Sequence, residues 1–161
     1  MAERDIPRVC VIGVGNELLG DDAAGRAVAR RLRSRLANGV RIIESDGDGT
    51  ALIDAWQGAE TVVLIDAVRS GAPPGTIHRF DAGTAPVPAR LFHYSTHAVN
   101  VADAVELSRA LGTLPPCVIV YGIEAGRFDA GAGLSPEVER AVEDVAERVQ
   151  QEVGSLAGTE V

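Results

Sequence analysis

Val9-Cys10-Val11-Ile12-Gly13-Val14, continuing into Gly15-Asn16-Glu17-Leu18-Leu19-Gly20-Asp21-Asp22, is an apolar run that ends on glycine and gives way to helical spacing. The run reads as a buried strand. Beyond it Ala24, Val28, Leu32 and Leu36 recur on one side of a helix whose other faces carry Arg26, Arg30, Arg33 and Arg35. Such a stripe has to pack back on a sheet, which makes the pair the opening unit of an α/β fold. The alternation continues with a strand over Val40–Ile43, a short helix over Ala51–Trp56 and a third strand over Thr61–Asp66, apolar on both faces and therefore central. Gly71, Pro73, Pro74 and Gly75 break the pattern, and Thr76–Phe80 alternates like an edge strand. After a loop with Pro86 and Pro88, Ser95-Thr96-His97 opens a helix that runs through Leu111, and Pro116–Gly122 is the last buried strand. Ser135 and Pro136 suit the cap and first turn of a final helix with Val138, Ala141, Val142, Val145 and Val149 on one face. The fold expected is α/β: a three-layer α/β/α arrangement around an open, mostly parallel twisted sheet of about five strands, with Thr76–Phe80 antiparallel at an edge. One domain should span residues 1–161, with a frayed tail beyond Gly154.

The charge balance narrows the partners. Fifteen basic residues, all arginine, stand against 23 acidic ones, and the net charge of −8 repels nucleic acid and anionic lipid alike. No apolar run approaches the ~20 residues of a membrane helix. The segment from Met1 to Arg8 mixes charges and has no apolar stretch of the secretory kind, so a cytoplasmic location is expected. Cys10 and Cys117 lie inside apolar runs, where a thiol behaves as a small buried hydrophobe.

Open α/β sheets carry their sites at the carboxyl ends of the strands, which directs attention to the residues just beyond Val14, Ile43, Ile65 and Tyr121. After the first strand, Gly13-Val14-Gly15 begins like the dinucleotide fingerprint but has Leu18 where the third glycine belongs. Asp21 and Asp22 also occupy the place of a pyrophosphate at the helix start. Helix capping accounts for one of these acids and leaves the other for a different task. Asp66, at the end of an apolar strand, is either a functional carboxylate or a loop-fixing one. His97, placed at a helix N-terminus, is either a neutral, ligand-ready imidazole or a solvent-facing side chain. His78 in the edge strand and His93 in the preceding loop are weaker candidates. Two carboxylates and one imidazole at one sheet edge would suit nickel or zinc and leave coordination positions open for substrate.

Taken in order, Gly13-Val14-Gly15-Asn16 with Asp21-Asp22, Leu64-Ile65-Asp66-Ala67, Ser95-Thr96-His97, Tyr121-Gly122-Ile123-Glu124 and Gly133-Leu134-Ser135 resemble the hydrogenase maturation protease family, peptidase family M52, across nearly the whole chain. The resemblance implies a nickel-dependent endopeptidase that removes a short C-terminal extension from the large-subunit precursor of a nickel-iron hydrogenase after nickel insertion. It implies that Asp22, Asp66 and His97 hold the metal, which the substrate's own centre supplies, and that Asp21 is the helix cap. A further acid of the family's glycine-rich segment falls at Asp46, where the usual Asp-Gly-Gly-Thr run is interrupted as Asp46-Gly47-Asp48-Gly49-Thr50. Ala23 and Ala125 replace a common glycine and proline. No zincin helix motif and no Ser-His-Asp or Cys-His constellation stands out, so no nucleophile is named. The alternative is a non-catalytic assembly factor that binds the immature subunit; a small-ligand protein of flavodoxin type is more remote.

Overall fold

A computed structural model describes residues 8–92 and 97–158, with residues 156–158 by backbone alone. Five strands form one sheet: β1 (Val9–Val14), β2 (Arg41–Ser45), β3 (Thr61–Val68), β4 (Ile77–Asp81) and β5 (Cys117–Glu124), in the order β2-β1-β3-β5-β4. All neighbours run parallel except β4, which pairs antiparallel with β5 at the edge. The three-layer α/β/α arrangement read from the periodicities is the one observed. Helices α1 (Ala24–Leu32) and α4 (Pro136–Gly158) cover one face, where Val28 and Val142 pack with Val11, Ile65 and Tyr121. Helices α2 (Gly49–Ala55) and α3 (Val101–Ala110) cover the other, where Leu52 and Val105 pack with Ile12, Leu64 and Val120. Burial on both faces explains why β1 and β3 are buried at every position and predominantly apolar rather than alternating.

The α1 helix comes unusually close to the sheet. A Cβ on Gly25 would lie 2.2 Å from the Ile65 carbonyl oxygen, and one on Gly13 would lie 2.2 Å from that of Gly25. These two glycines bring the start of α1 against the carboxyl ends of β1 and β3. There the chain, having placed β2 on one side of β1, crosses to place β3 on the other. Strand order reverses at that point, and the crevice it leaves is where open sheets hold ligands.

Two local expectations are corrected. The third helix begins at Val101, not at Ser95-Thr96-His97: Asn100 accepts from the Asp103 amide at 2.9 Å while Asp103 accepts from the Asn100 amide at 3.2 Å, a reciprocal capping box. His97 therefore lies in a bend ahead of the helix rather than in its first turn, and Ser95 and Thr96 fall outside the described residues. Asp66 does not end its strand but lies inside β3, opposite Gly122, in a segment buried at every position. Helix α4 runs from Pro136 to Gly158. Among the described residues no helix is long and apolar enough to cross a membrane.

Candidate functional site

The switch-point crevice is a cleft of about 470 Å³, and Asp22, Asp46, Asp66 and His97 all line it, together with Arg69 and Phe128. Each arrives from a different element. Asp22 comes from the 3-10 turn that precedes α1, Asp46 and Gly47 come after β2, Asp66 is in β3, and His97 precedes α3.

Asp66 is 9% exposed, and among the described residues its one hydrogen-bond partner is the Ala67 amide, 2.8 Å from Oδ1. Burial, and after it the like charge of Asp22, push its carboxyl well above the ordinary value of 3.8; the Ala67 amide offsets only part of this. Asp22 is half-buried and accepts from the Asn16 amide at 2.8 Å, which ties the β1–α1 loop to it. His97 reaches the backbone carbonyl of Asp46, with Nε2 2.9 Å from the oxygen. A carbonyl can only accept, so Nε2 donates this bond. Gly47 forms the turn beside this contact. Its φ of +98° excludes most side chains, and a Cβ there would approach Val14 Cγ1 at 3.1 Å and His97 Cδ2 at 3.5 Å. Among the described residues, no three His, Cys, Asp or Glu side chains already converge on one point where an ion would sit. The cleft gathers the candidates without closing them into a coordination sphere.

Asp21 is not the helix cap. The residues capping the 3-10 turn and α1, Leu19 and Ala23, make no side-chain cap bond. Asp21 is instead wholly buried and turned toward a loop more than a hundred residues away. It accepts from the Gly126 and Arg127 amides at 2.8 and 2.9 Å, from the Ser135 amide at 2.7 Å and from the Ser135 hydroxyl. Burial raises its pKa, but these bonds outweigh burial and hold the carboxyl below its ordinary range. The Ser135 hydroxyl, expected as a cap for the last helix, is thus donated to Asp21. The loop carries Phe128 to the cleft wall.

His78 is absent from the cleft. It sits on Glu124, Nε2 to Oε1 at 3.1 Å, and the same carboxylate accepts from the Ser70 amide and hydroxyl at 2.8 and 2.6 Å. Serine and histidine therefore share an acid rather than touch each other, which is not the order of a nucleophilic triad. Burial pushes Glu124 up, and the Ser70 and His78 contacts bring it below the usual carboxylate range. His93 lies outside the described residues. Sequence reading missed Asp21's partners, the Glu124 network and the Arg69–Phe128 contact. Glu124 and Ser135 did stand within the motifs Tyr121–Glu124 and Gly133–Ser135, the one available signal.

Acids and an imidazole drawn to the switch point of a doubly wound sheet define an α/β protein with an acid-lined cleft. A sequence model described as hydrogenase maturation protease (HycI) matches residues 26–152, and the chain belongs to that family, a family of peptidases. It is 30% identical over 146 residues to the Hydrogenase 2 maturation protease of Escherichia coli, with 88% of each chain covered. The solved structure of the hydrogenase maturating endopeptidase HybD from E. coli superposes with a TM-score of 0.74 at 29% identity, over 88% of this chain and 89% of that one. With the expression/formation protein HupD of Thiocapsa roseopersicina the identity is 26% over 142 residues; the match takes in 86% of this chain but spans only 64% of the relative's length.

Proposed function

We propose that the protein is an endopeptidase that removes the C-terminal extension of a nickel-iron hydrogenase large-subunit precursor after nickel insertion, recognising the nickel through Asp22, Asp66 and His97. The observation that carries this is the pairing of a buried, under-bonded Asp66 with the like charge of Asp22, in one cleft with His97. Two carboxylates and an imidazole suit a borderline divalent cation. A cation brought between the acids relieves their repulsion, so the cleft favours precursor that arrives with its metal. Nickel is here part of the substrate. Its docking would hold the neighbouring peptide bond in place, and water, with a cleft carboxylate as general base, would be the attacking group. The Nε2 bond to the Asp46 carbonyl orients the His97 ring, which is the part Asp46 plays through its backbone. On this reading the enzyme acts in the cytoplasm.

The test is intact-mass spectrometry of precursor incubated with the protein. Nickel-loaded precursor should lose a defined C-terminal peptide, and nickel-free precursor should keep it at any protein concentration. Efficient cutting of nickel-free precursor overturns nickel recognition. A stable complex with an intact tail establishes the assembly factor instead.

A further inference from the structure

Arg69 is the residue next after β3, and it stands on the cleft wall with its guanidinium carbon 4.6 Å from the centre of the Phe128 ring. Elsewhere the arginines of α1 and of the β4 and α3 surfaces face glutamates: Arg26, Arg30 and Arg33 meet Glu44, Arg31 and Arg35 meet Glu143, Arg79 meets Glu152 and Arg109 meets Glu106. Among the described residues no carboxylate stands within ion-pair distance of Arg69, although the cleft it lines is rich in acids. It makes no ion pair with Asp22, Asp46 or Asp66.

Both members of the pair are held in place by buried acids. On one side Glu124, 2% exposed, binds the amide and hydroxyl of Ser70, and the Arg69 amide donates to the Leu91 carbonyl at 3.2 Å. On the other, Asp21 fixes the amides of Gly126 and Arg127, while Leu19 bridges Ala130 and the Gly131 amide reaches the Leu18 carbonyl at 2.9 Å. Phe128 lies between these anchors. A ring under one face of a guanidinium restrains the long side chain and leaves the edge, with its fork of N–H donors, open to a planar anion.

We propose that Arg69, stacked on Phe128, is a subsite for a carboxylate of the precursor's C-terminal segment, an inference that rests on the proposed processing function. The cleft is then bipolar. The cationic metal centre of the substrate belongs at Asp22 and Asp66, an anionic group of the same chain at Arg69, and the two together fix the direction in which the segment lies. The carboxylate is either an acidic side chain of the extension or the chain terminus.

Steady-state cleavage of nickel-loaded precursor by wild type, Arg69→Gln, Arg69→Lys and Phe128→Leu tests this. Arg69→Gln should raise KM about tenfold with kcat within about twofold, the loss expected for one charged hydrogen-bonded contact. Arg69→Lys keeps the charge without the fork and Phe128→Leu keeps the fork without its platform, so both should fall between. To find the source, the acids of the extension are neutralised one at a time, and in a separate precursor the terminus is amidated by ligation. The partner is the carboxylate whose loss raises KM for wild type and leaves KM of Arg69→Gln unchanged. A wild-type KM in Arg69→Gln, or no carboxylate with that behaviour, overturns the subsite. Failure of wild type to cut at all sinks the processing function instead. In that event the Kd of the same precursor for wild type and Arg69→Gln decides, a tenfold difference supporting the subsite and equality overturning it.

Discussion

Asp21 and Asp66 are both carboxylates removed from water, and they meet opposite treatment. Asp21 accepts from three backbone amides and a hydroxyl, and its pKa falls despite burial. Asp66, in an equally apolar layer, has among the described residues a single amide and an acidic neighbour, and its pKa rises. A carboxylate whose acceptor sites are filled by the fold belongs to the fold. One left with sites to fill, facing a cleft, stores an unmet demand for a cation or proton, the usual mark of a functional group. The adjacent acids Asp21 and Asp22 are divided by the same criterion: the first is used up by the loop at 126–135, while the second faces the cleft.

Four experiments break or sharpen this contrast. The largest effect is expected for Asp66→Asn, which should slow precursor processing on the order of 10³-fold, within the range for losing a group that handles charge or protons. Its stability should move the other way. Because the folded pKa of Asp66 is raised, the unfolded chain ionises first, and stability falls as pH rises from 3.8 toward the folded value. The metal-free variant lacks that loss, so its Tm at pH 7 should equal or exceed that of wild type. A clear drop in Tm would assign Asp66 to the fold.

Asp21→Ala should do the reverse. It strips several buried donors of their acceptor and should cost about 3 kcal/mol, a fall of about 10 °C in Tm. Measured well below that Tm, kcat should suffer far less than in Asp66→Asn. Unchanged stability with total loss of activity would place Asp21 in the site and dissolve the contrast. A smaller effect separates the two acids by pH. Asp21 and Glu124 both have depressed folded pKa values, so their contribution is fully present above the unfolded values of 3.8 and 4.5 and is lost as pH falls below them. Urea unfolding across pH, performed on Asp66→Asn to remove the opposing slope, should show stability flat above about pH 5 and falling on the acid side; Asp21→Asn should flatten that fall. The smallest effect belongs to Asn100→Ala, which breaks the capping box for about 1 kcal/mol and should leave processing within twofold. Loss of activity there would mean that the start of α3 sets the position of His97.

The sheet, its order of elements and its edge strand were legible because burial leaves its pattern along the chain: Val9–Val14 is apolar throughout and Thr61–Val68 is apolar but for Thr61 and Asp66, as strands covered on both faces tend to be. The start of α3 was misplaced because Ser95, Thr96 and Asn100 all carry capping side chains, and only the reciprocal bond to Asp103 singles out the last. The role of Asp21 was illegible for a different reason. Its position beside Asp22 at the start of a helix is what a cap looks like locally, and its actual partners are amides, which have no side-chain signature, on a loop 105 to 114 residues away. The gathering of Asp22, Asp66 and His97 along one cleft was anticipated from motif resemblance and strand ends; the hold of the Asp46 carbonyl on His97 could not be, since a backbone atom leaves no trace in composition.

That long reach from Asp21 also sets a timetable. The candidate ligands are all synthesised by residue 97, and the strands β1, β2 and β3 that carry or flank them can pair before the rest of the chain exists. The wall bearing Phe128 cannot be fastened until Gly126, Arg127 and Ser135 have been made and brought back across the sheet, which requires β5 and the start of α4 to be in place. Contacts of such separation close late and close together with the rest of the domain. A nascent chain that already contains Asp22, Asp66 and His97 therefore has the acids without the wall that bears Phe128, and synthesis through Ser135 is what lets that wall be fastened.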